Sequence, residues 1–339
     1  MGDGTSDSAQ FGRITGAIKL RDGRIAIADG MGLNVRVFDE AGGTQATFGR
    51  KGDGPGEFQF LSRLVPASDS TIVAGSIFRL AEFRSDGSLV AEERPDWTAI
   101  ALGDLNFEAA FPMADSAFLV MLIEGGESRA DGRLNRNRLG YMIMGPGRRW
   151  TDTLGVFNGL EQMAYSRGGR VRSAIPSYPR ATHHFVAGHV VVIGDNDRDS
   201  VVHYDARTRT RSLVFVGAPR TPVGSQVLKD ARTEACNWTS APDERRECEY
   251  GLTLLPDRET YPAFRALGAD SMANIWVARY SDDSTVTSWD VFAADGRLAG
   301  RVGLPPDFRP TQIGYSYVLG IRQDSLGVQS VVEYTLDRK

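Results

Sequence analysis

The feature that most constrains the fold is a four-strand unit that repeats along the chain. In its clearest copy, residues 14–58, short stretches of alternating apolar residues are separated by turn sequences such as those at 21–23 and 29–30. Four antiparallel strands within about 45 residues are typical of one propeller blade. A chain built from such units is predicted to close into a radial array, which leaves only short, protected strand edges.

An aromatic residue near the end of the third strand marks each copy of the unit. The six marks are Phe38, Phe83, Tyr141, Tyr204, Phe292 and Tyr334. Six copies predict an all-β, six-bladed β-propeller that occupies the chain as a single domain, 1–339. The predicted blades cover residues 14–50, 59–96, 105–157, 180–217, 262–304 and 308–336.

The sixth copy is one strand short, and the N-terminal sequence suggests how the ring closes. Residues 10–13 resemble residues 47–50, which end the outer strand of the first blade. We therefore expect residues 8–13 to supply the missing outer strand of the sixth blade. Such a strand would join the two ends of the chain without a covalent bond.

The first 60 or so residues resemble the NHL-type β-propeller repeat. The similar segments are DGRIAIAD at 22–29, VRVFD at 35–39, TFGR at 47–50 and GDGPGEF at 52–58. The resemblance implies a six-bladed propeller. It implies little about function, because propellers of this kind include lactonases, lyases, binding modules and structural subunits.

The fourth interval between blade marks is too long for one blade, and its excess predicts a helical insertion at 218–261 between blades four and five. Patterns at Ser225 and Ser240 are typical of helix starts. Cys236 and Cys248 flank the turn between the two predicted helices and favour a disulfide, with two unrelated buried thiols as the alternative. A disulfide indicates an oxidising compartment, so we expect a periplasmic or extracellular location.

Charge and hydropathy exclude two classes of partner. The formal net charge is −4, which argues against nucleic acid as a partner because nucleic-acid binders need a dominant positive field. The longest apolar run, 117–123, is too short to cross a bilayer, so the chain is predicted to have no transmembrane segment.

Basic residues are concentrated in one segment, where residues 129–180 hold ten Arg and only three acids. Part of it, 165–179, is expected to be a loop between blades three and four. This surface either docks an anionic ligand or acidic partner or is an ordinary solvated loop. The predicted binding residues on this loop and at the mouth of the channel are Arg167, Arg170, Arg172, Tyr178, Arg180, His183, Arg63 and Arg265.

Neither catalytic residues nor metal ligands nor a cofactor are predicted. All four histidines fall in the fourth blade, whereas a metal in the central channel would draw ligands from several blades. His183 and His184 are adjacent and face opposite ways on a strand. The segment 195–199 resembles the start of a calcium loop, but it lacks the later Gly and Glu and favours a turn.

These observations favour a non-catalytic, exported binding or scaffold propeller that mediates protein–protein interaction. A protein partner is expected, and an accessory subunit on the periplasmic face of a membrane complex is one form that this role takes. The alternative is a lactonase- or lyase-type enzyme with its site at the central channel, because catalytic residues in propellers are dispersed along the sequence.

Overall fold

The computed structural model describes residues 10–67, 71–97, 100–125, 130–217, 221–283 and 285–337. These residues form six antiparallel sheets that follow one another in chain order. The fold is a six-bladed β-propeller, as the repeat predicts. No helix among the described residues is long and apolar enough to span a membrane.

Each sheet consists of one continuous section of chain. The first two sheets contain β1 (Ile14–Lys19), β2 (Ile25–Asp29), β3 (Asn34–Phe38) and β4 (Thr44–Phe48), then β5 (Arg63–Pro66), β6 (Thr71–Ser76), β7 (Arg79–Arg84) and β8 (Leu89–Glu93). The third contains β9 (Ala101–Leu102), β10 (Leu105–Pro112), β11 (Phe118–Glu124), β12 (Leu134–Gly145), β13 (Arg149–Arg167) and β14 (Arg170–Ala174). The fourth contains β15 (Thr182–Ala187), β16 (Val190–Asp195), β17 (Ser200–Asp205) and β18 (Thr210–Phe215). The last two contain β19 (Ala266–Ala269), β20 (Ile275–Ala278), β21 (Thr287–Phe292) and β22 (Leu298–Leu304), then β23 (Phe308–Ile313), β24 (Tyr317–Gln323) and β25 (Gln329–Thr335).

Apolar side chains hold neighbouring blades together. One cluster of buried residues lies between each successive pair of sheets, including the pair formed by the sixth and the first. The second strand of a blade is covered on both faces, and every residue of β2 and of β16 is buried. Outer strands such as β8 are exposed throughout, which explains why their sequences carry the weakest strand pattern.

The ring closes through side-chain amides and apolar contacts. The Ile14 backbone N–H donates to Oε1 of Gln329 at 2.7 Å, and the Lys19 backbone N–H donates to Oε1 of Gln312 at 2.6 Å. The Lys19 ammonium also pairs with Glu333 at 2.8 Å. First-blade and sixth-blade residues therefore meet directly along β1.

The predicted closing strand at 8–13 is not formed by residues 10–13, which have no strand pairing, while residues 8 and 9 lie outside the described residues. The Phe11 side chain instead packs against the cluster between the first and sixth blades and meets the ring of Phe38. The backbone N–H groups of Gly12 and Arg13 donate to the carboxylate of Asp29, and these hydrogen bonds hold the segment away from a strand conformation.

The loop expected at 165–179 is wrong for its first part, which forms a strand hairpin. Residues 165–167 end β13, and β14 returns antiparallel to it, with Tyr165 opposite Arg172. The hairpin forms because Met163, Tyr165 and Ala174 are buried against residues of the helical insertion, whose proximity the local sequence does not show.

Two helices lie between β18 and β19, α1 (Ser225–Glu234) and α2 (Pro242–Thr253). The predicted disulfide between Cys236 and Cys248 is present. Ser240, which the sequence pattern places at the start of the second helix, is not the N-cap of α2; Ala241 holds that position. The Thr239 hydroxyl accepts the Ala241 backbone N–H and donates to the Glu244 carboxylate.

Candidate functional site

Two additions to the propeller repeat lie on the same edge of the disc. We call residues 161–174 the blade-three hairpin and residues 221–261 the helical insertion. Both are inserted between the last strand of one blade and the first strand of the next. They therefore lie on the face of the propeller where β15 begins at Thr182 and β16 ends at Asp195. Together they form a raised structure that we call the rim.

The helical insertion packs onto the blade-three hairpin. Met163, Tyr165 and Ala174 of the hairpin form a buried cluster with Leu255 of the insertion. The Tyr165 hydroxyl donates to Oε1 of Glu247 at 3.1 Å. The insertion therefore does not project freely from the disc.

Charged side chains reinforce this contact. Arg167 Nη1 lies 3.7 Å from Glu247 Oε2, and Arg172 Nε lies 3.6 Å from the other carboxylate oxygen. The Arg167 guanidinium also stacks 3.8 Å above the ring of Tyr250. Two of the predicted binding arginines, Arg167 and Arg172, thus already have partners within this chain. Arg170 at the hairpin turn is exposed and forms no ion pair with any described residue.

A buried ion pair anchors the insertion to the third blade. Glu161 of β13 accepts a hydrogen bond from Arg258 of the insertion and is only 7% exposed. The same carboxylate accepts the Arg180 backbone N–H at 3.2 Å. Burial lowers the pKa of Arg258 from its ordinary value. Removal of either partner would leave a buried charge, so the pair fixes the base of the rim.

A polar cleft of about 330 Å³ opens beside the rim between the fourth and fifth blades. Its walls are formed by Arg180, Asn196, Asp197, Arg198, Asp199, Ser200, Thr260, Tyr261, Pro262 and Ala263. Arg180 Nη1 pairs with Asp197 Oδ1 at 2.6 Å across this surface. The cleft offers charges of both signs.

Three tyrosines adjoin the cleft. The rings of Tyr261 and Tyr280 stack at 5.1 Å, and Tyr178 meets Tyr261 edge-on at 4.8 Å. Burial raises the pKa of Tyr280 to about 12, and the nearby positive charge of Arg265 opposes that rise. The phenol therefore stays protonated at neutral pH.

The two adjacent histidines face opposite neighbouring blades. His183 faces the ring of Phe264, and its Nε2 lies 3.3 Å from the side-chain amide of Asn196. Burial lowers the pKa of His183, with Asp195 opposing the shift, so the ring is neutral at neutral pH. His184 instead contacts Phe111 in the third blade.

The predicted binding residues are divided among three places. Arg167, Arg170 and Arg172 lie on the hairpin, while Tyr178, Arg180, His183 and Arg265 lie around the cleft or beside its tyrosines. Arg63 lies apart in the second blade. Sequence reasoning did not single out Glu247, Tyr261 or Tyr280, and it treated Asn196 only as part of a turn, because their contacts are with residues distant in the chain.

Among the residues that the structure describes, no three or more His, Cys, Asp or Glu side chains lie together so that they could hold a metal ion. Buried acids at this edge are instead paired with arginine, as Asp195 is with Arg136 at 2.7 Å.

Comparison with known proteins agrees with the fold. Residues 4–78 match the model of a family described as a 6-bladed beta-propeller. This match supports six blades and does not identify the repeat as NHL-type. No curated protein sequence matches the chain.

Solved propeller structures align over most of the chain at low identity. A protein from Bacteroides fragilis has 14% identity and a TM-score of 0.49, covering 94% of this chain and 82% of that one. A member of the duf4221 family from Bacteroides vulgatus has 12% identity and a TM-score of 0.47, covering 96% and 94%. Virginiamycin B lyase from Staphylococcus aureus has 10% identity and a TM-score of 0.37, covering 96% and 85%.

Proposed function

We propose that this chain is an exported binding propeller that docks a protein partner on its rim. The observation that carries the proposal is that the hairpin and the helical insertion are fixed to each other and to the disc, and together present exposed apolar side chains. Val171 is 61% exposed and Trp238 is 69% exposed. Ile175, Tyr250 and Leu254 are exposed beside or on the same elements. Aromatic and apolar anchors on a preorganised surface are typical of protein-binding sites.

Positive charge is concentrated on the hairpin side of the rim, since the helical insertion itself carries eight acidic side chains against five basic ones. Arg133 and Arg170 are exposed near the hairpin and form no ion pair with a described residue. Arg167 and Arg172 share the single carboxylate of Glu247. A partner that places acidic side chains around an apolar contact would complement this surface.

The disulfide supports export. Cys236 is buried and Cys248 lies on α2, so their bond staples an insertion whose helices bury few residues of their own. Such bonds persist in oxidising compartments. We propose an accessory subunit on the outer face of a membrane assembly as one role that export and a protein-docking rim would allow.

Site-specific photocrosslinking in the source cells tests the docking proposal. Photoreactive residues replace Val171 or Trp238 on the rim, and matched controls replace Leu213 or Phe215, which are 72% and 65% exposed on the outer strand of blade four. We expect one discrete crosslinked protein from both rim positions and none from the controls. Equal crosslinking from the outer strand, or none from the rim, would contradict the proposal.

Charge reversal tests the chemistry of the partner. Arg133→Glu with Arg170→Glu should abolish the rim crosslink while leaving the melting temperature unchanged, because neither side chain has an ion pair to lose among the described residues. Arg149→Glu, another exposed arginine of the third blade, serves as the control and should leave the crosslink intact. Retention of the crosslink in the double variant would exclude an acidic partner surface.

A further inference from the structure

Arg63 lies on the first strand of its blade, and the first strands of neighbouring blades contact one another around the centre of the propeller. It begins β5 in the second blade, and its guanidinium lies 4.7 Å from the centre of the Phe111 ring in the third blade. His184 of the fourth blade contacts the same ring, with 4.2 Å between ring centres. Side chains from three successive blades therefore meet around Phe111.

The charge of Arg63 has no counter-charge among the residues that the structure describes. Its Nε is sealed from solvent and finds no hydrogen-bond acceptor there. Burial lowers the pKa of the guanidinium. Other poorly exposed arginines have an acid, in the pairs Arg36–Asp29, Arg79–Glu92, Arg136–Asp195, Arg258–Glu161 and Arg279–Asp290. A half-buried charge without a partner costs stability, and binding of an anion would supply the missing partner.

His184 provides a second donor at the same place. The hydroxyl of the fully buried Tyr141 lies 3.1 Å from His184 Nδ1 and has no other partner in the described part of the chain. Because this hydroxyl has no other acceptor among the described residues, we assign the donated proton to the bond with Nδ1, which places the ring proton on Nε2. Nε2 has no protein acceptor among the described residues. Burial, with smaller contributions from Arg63 and His183, lowers the pKa of His184 to about 4, so the ring remains neutral.

We propose that the central channel binds the carboxylate group of a small organic anion between Arg63 and His184. A guanidinium that stacks on an aromatic ring keeps its edge free for two parallel hydrogen bonds to a planar carboxylate. The His184 Nε2–H supplies a third donor. One positive charge with one neutral donor matches a carboxylate better than a dianionic phosphate. This site is independent of docking at the rim, because it is built on first strands of the blades and uses none of the rim residues.

Fluorine NMR of trifluoroacetate with the full chain tests the site. We expect saturable binding to the wild-type protein in the millimolar range and at least about tenfold weaker binding to Arg63→Gln, because charge-assisted hydrogen bonds are lost. His184→Phe keeps the ring contact with Phe111 but lacks the N–H, and we expect about fivefold weaker binding. Arg149→Gln is the control and should bind as the wild type does.

A folding control separates a binding role from a structural one. Arg63→Met retains a long side chain over Phe111 and removes the unpaired charge, so its melting temperature should equal or exceed that of the wild type. A melting temperature lowered by many degrees would identify Arg63 as structural and overturn the proposal. Undiminished binding to Arg63→Gln, or no saturable binding to the wild type, would also overturn it. Competition by inorganic phosphate as strong as that by acetate would refute the carboxylate assignment.

Discussion

At the scale of single residues, Asp290 shows how this propeller holds a buried charge. Its carboxylate is 6% exposed and accepts hydrogen bonds from Arg279 at 2.8 Å and Arg301 at 2.7 Å. Burial alone would raise the pKa of Asp290, but these two donors outweigh it and the pKa lies below the ordinary value. Arg279 also donates to the backbone oxygens of Ala263 and Val216, so the carboxylate orients a group that links blades four and five.

Asp290→Asn is expected to lower the free energy of unfolding by about 3 kcal/mol, because it leaves the Arg279 charge buried without its counter-ion. Chemical denaturation at neutral pH measures this loss. Asp307→Asn is the control, since Asp307 pairs with the half-exposed Arg322 at the surface and should cost less than about 1 kcal/mol. Equal losses in the two variants would refute the argument.

The carboxylate of Asp290 also makes the free energy of unfolding depend on pH in a definite direction. Because the folded pKa of Asp290 is depressed, its stabilising contribution is present above the ordinary pKa of aspartate and is lost as the pH falls through the folded pKa. The difference in unfolding free energy between wild type and Asp290→Asn should therefore shrink on acidification below about pH 4. A difference that stayed constant down to pH 2 or so would contradict this.

At the scale of elements, the helical insertion depends on contacts outside itself. No residue of α1 is buried, and Gly251 is the buried residue of α2. The disulfide and the contacts with the hairpin supply what its own core lacks. The loop that the disulfide closes spans 12 positions, which corresponds to a stabilisation of about 3 kcal/mol in the chain-entropy model.

Cys236→Ser with Cys248→Ser should therefore loosen the insertion without unfolding the ring. We expect proteolysis within residues 225–253 to accelerate by at least about tenfold, because local opening of the insertion becomes easier. The strands of the propeller should keep their melting temperature. Limited proteolysis with mass spectrometry, beside a thermal melt, checks both statements, and a global loss of stability would contradict them.

The elements also show what the sequence could predict. The blades were predictable because alternation and turn residues are local signals, and helix starts and cysteine spacing indicated the insertion. The Gly168-Gly169 dipeptide is a local hairpin signal, but the contact of Tyr165 with Glu247, more than 70 positions further along the chain, was not predictable. The sequence did not indicate the cleft, and of the site at Phe111 it indicated Arg63 but not His184 as a binding residue. His184 acquires its role from Tyr141, Phe111 and Arg63, which lie on other blades.

At the scale of the whole molecule, two glutamines contribute to closure of the ring beside the apolar cluster between the first and sixth blades. Gln312 Oε1 accepts the Lys19 backbone N–H, and its amide nitrogen donates back to the Lys19 carbonyl at 3.3 Å, so one side chain substitutes for a strand partner. Gln329 accepts the N–H of the buried Ile14. Both contacts join positions at opposite ends of the chain.

Gln312→Ala with Gln329→Ala should lower the free energy of unfolding by about 2 to 4 kcal/mol, because two backbone N–H groups of β1 lose their acceptors. A thermal melt and a denaturant titration measure the effect. Gln45→Ala is the control, since Gln45 is exposed on the outer strand β4 and its side chain bonds to Asp39 alone among the described residues. A double variant as stable as this control would show that apolar packing alone closes the ring.

The rim adds contacts between some blades of the propeller and not between others. Blades three, four and five are held together by the hairpin, the insertion and the Glu161–Arg258 pair, whereas blades six and one meet through side-chain amides, the Lys19–Glu333 pair and one apolar cluster. We therefore expect thermal opening of the ring to begin between β1 and the sixth blade, and blades three to five to stay folded longest.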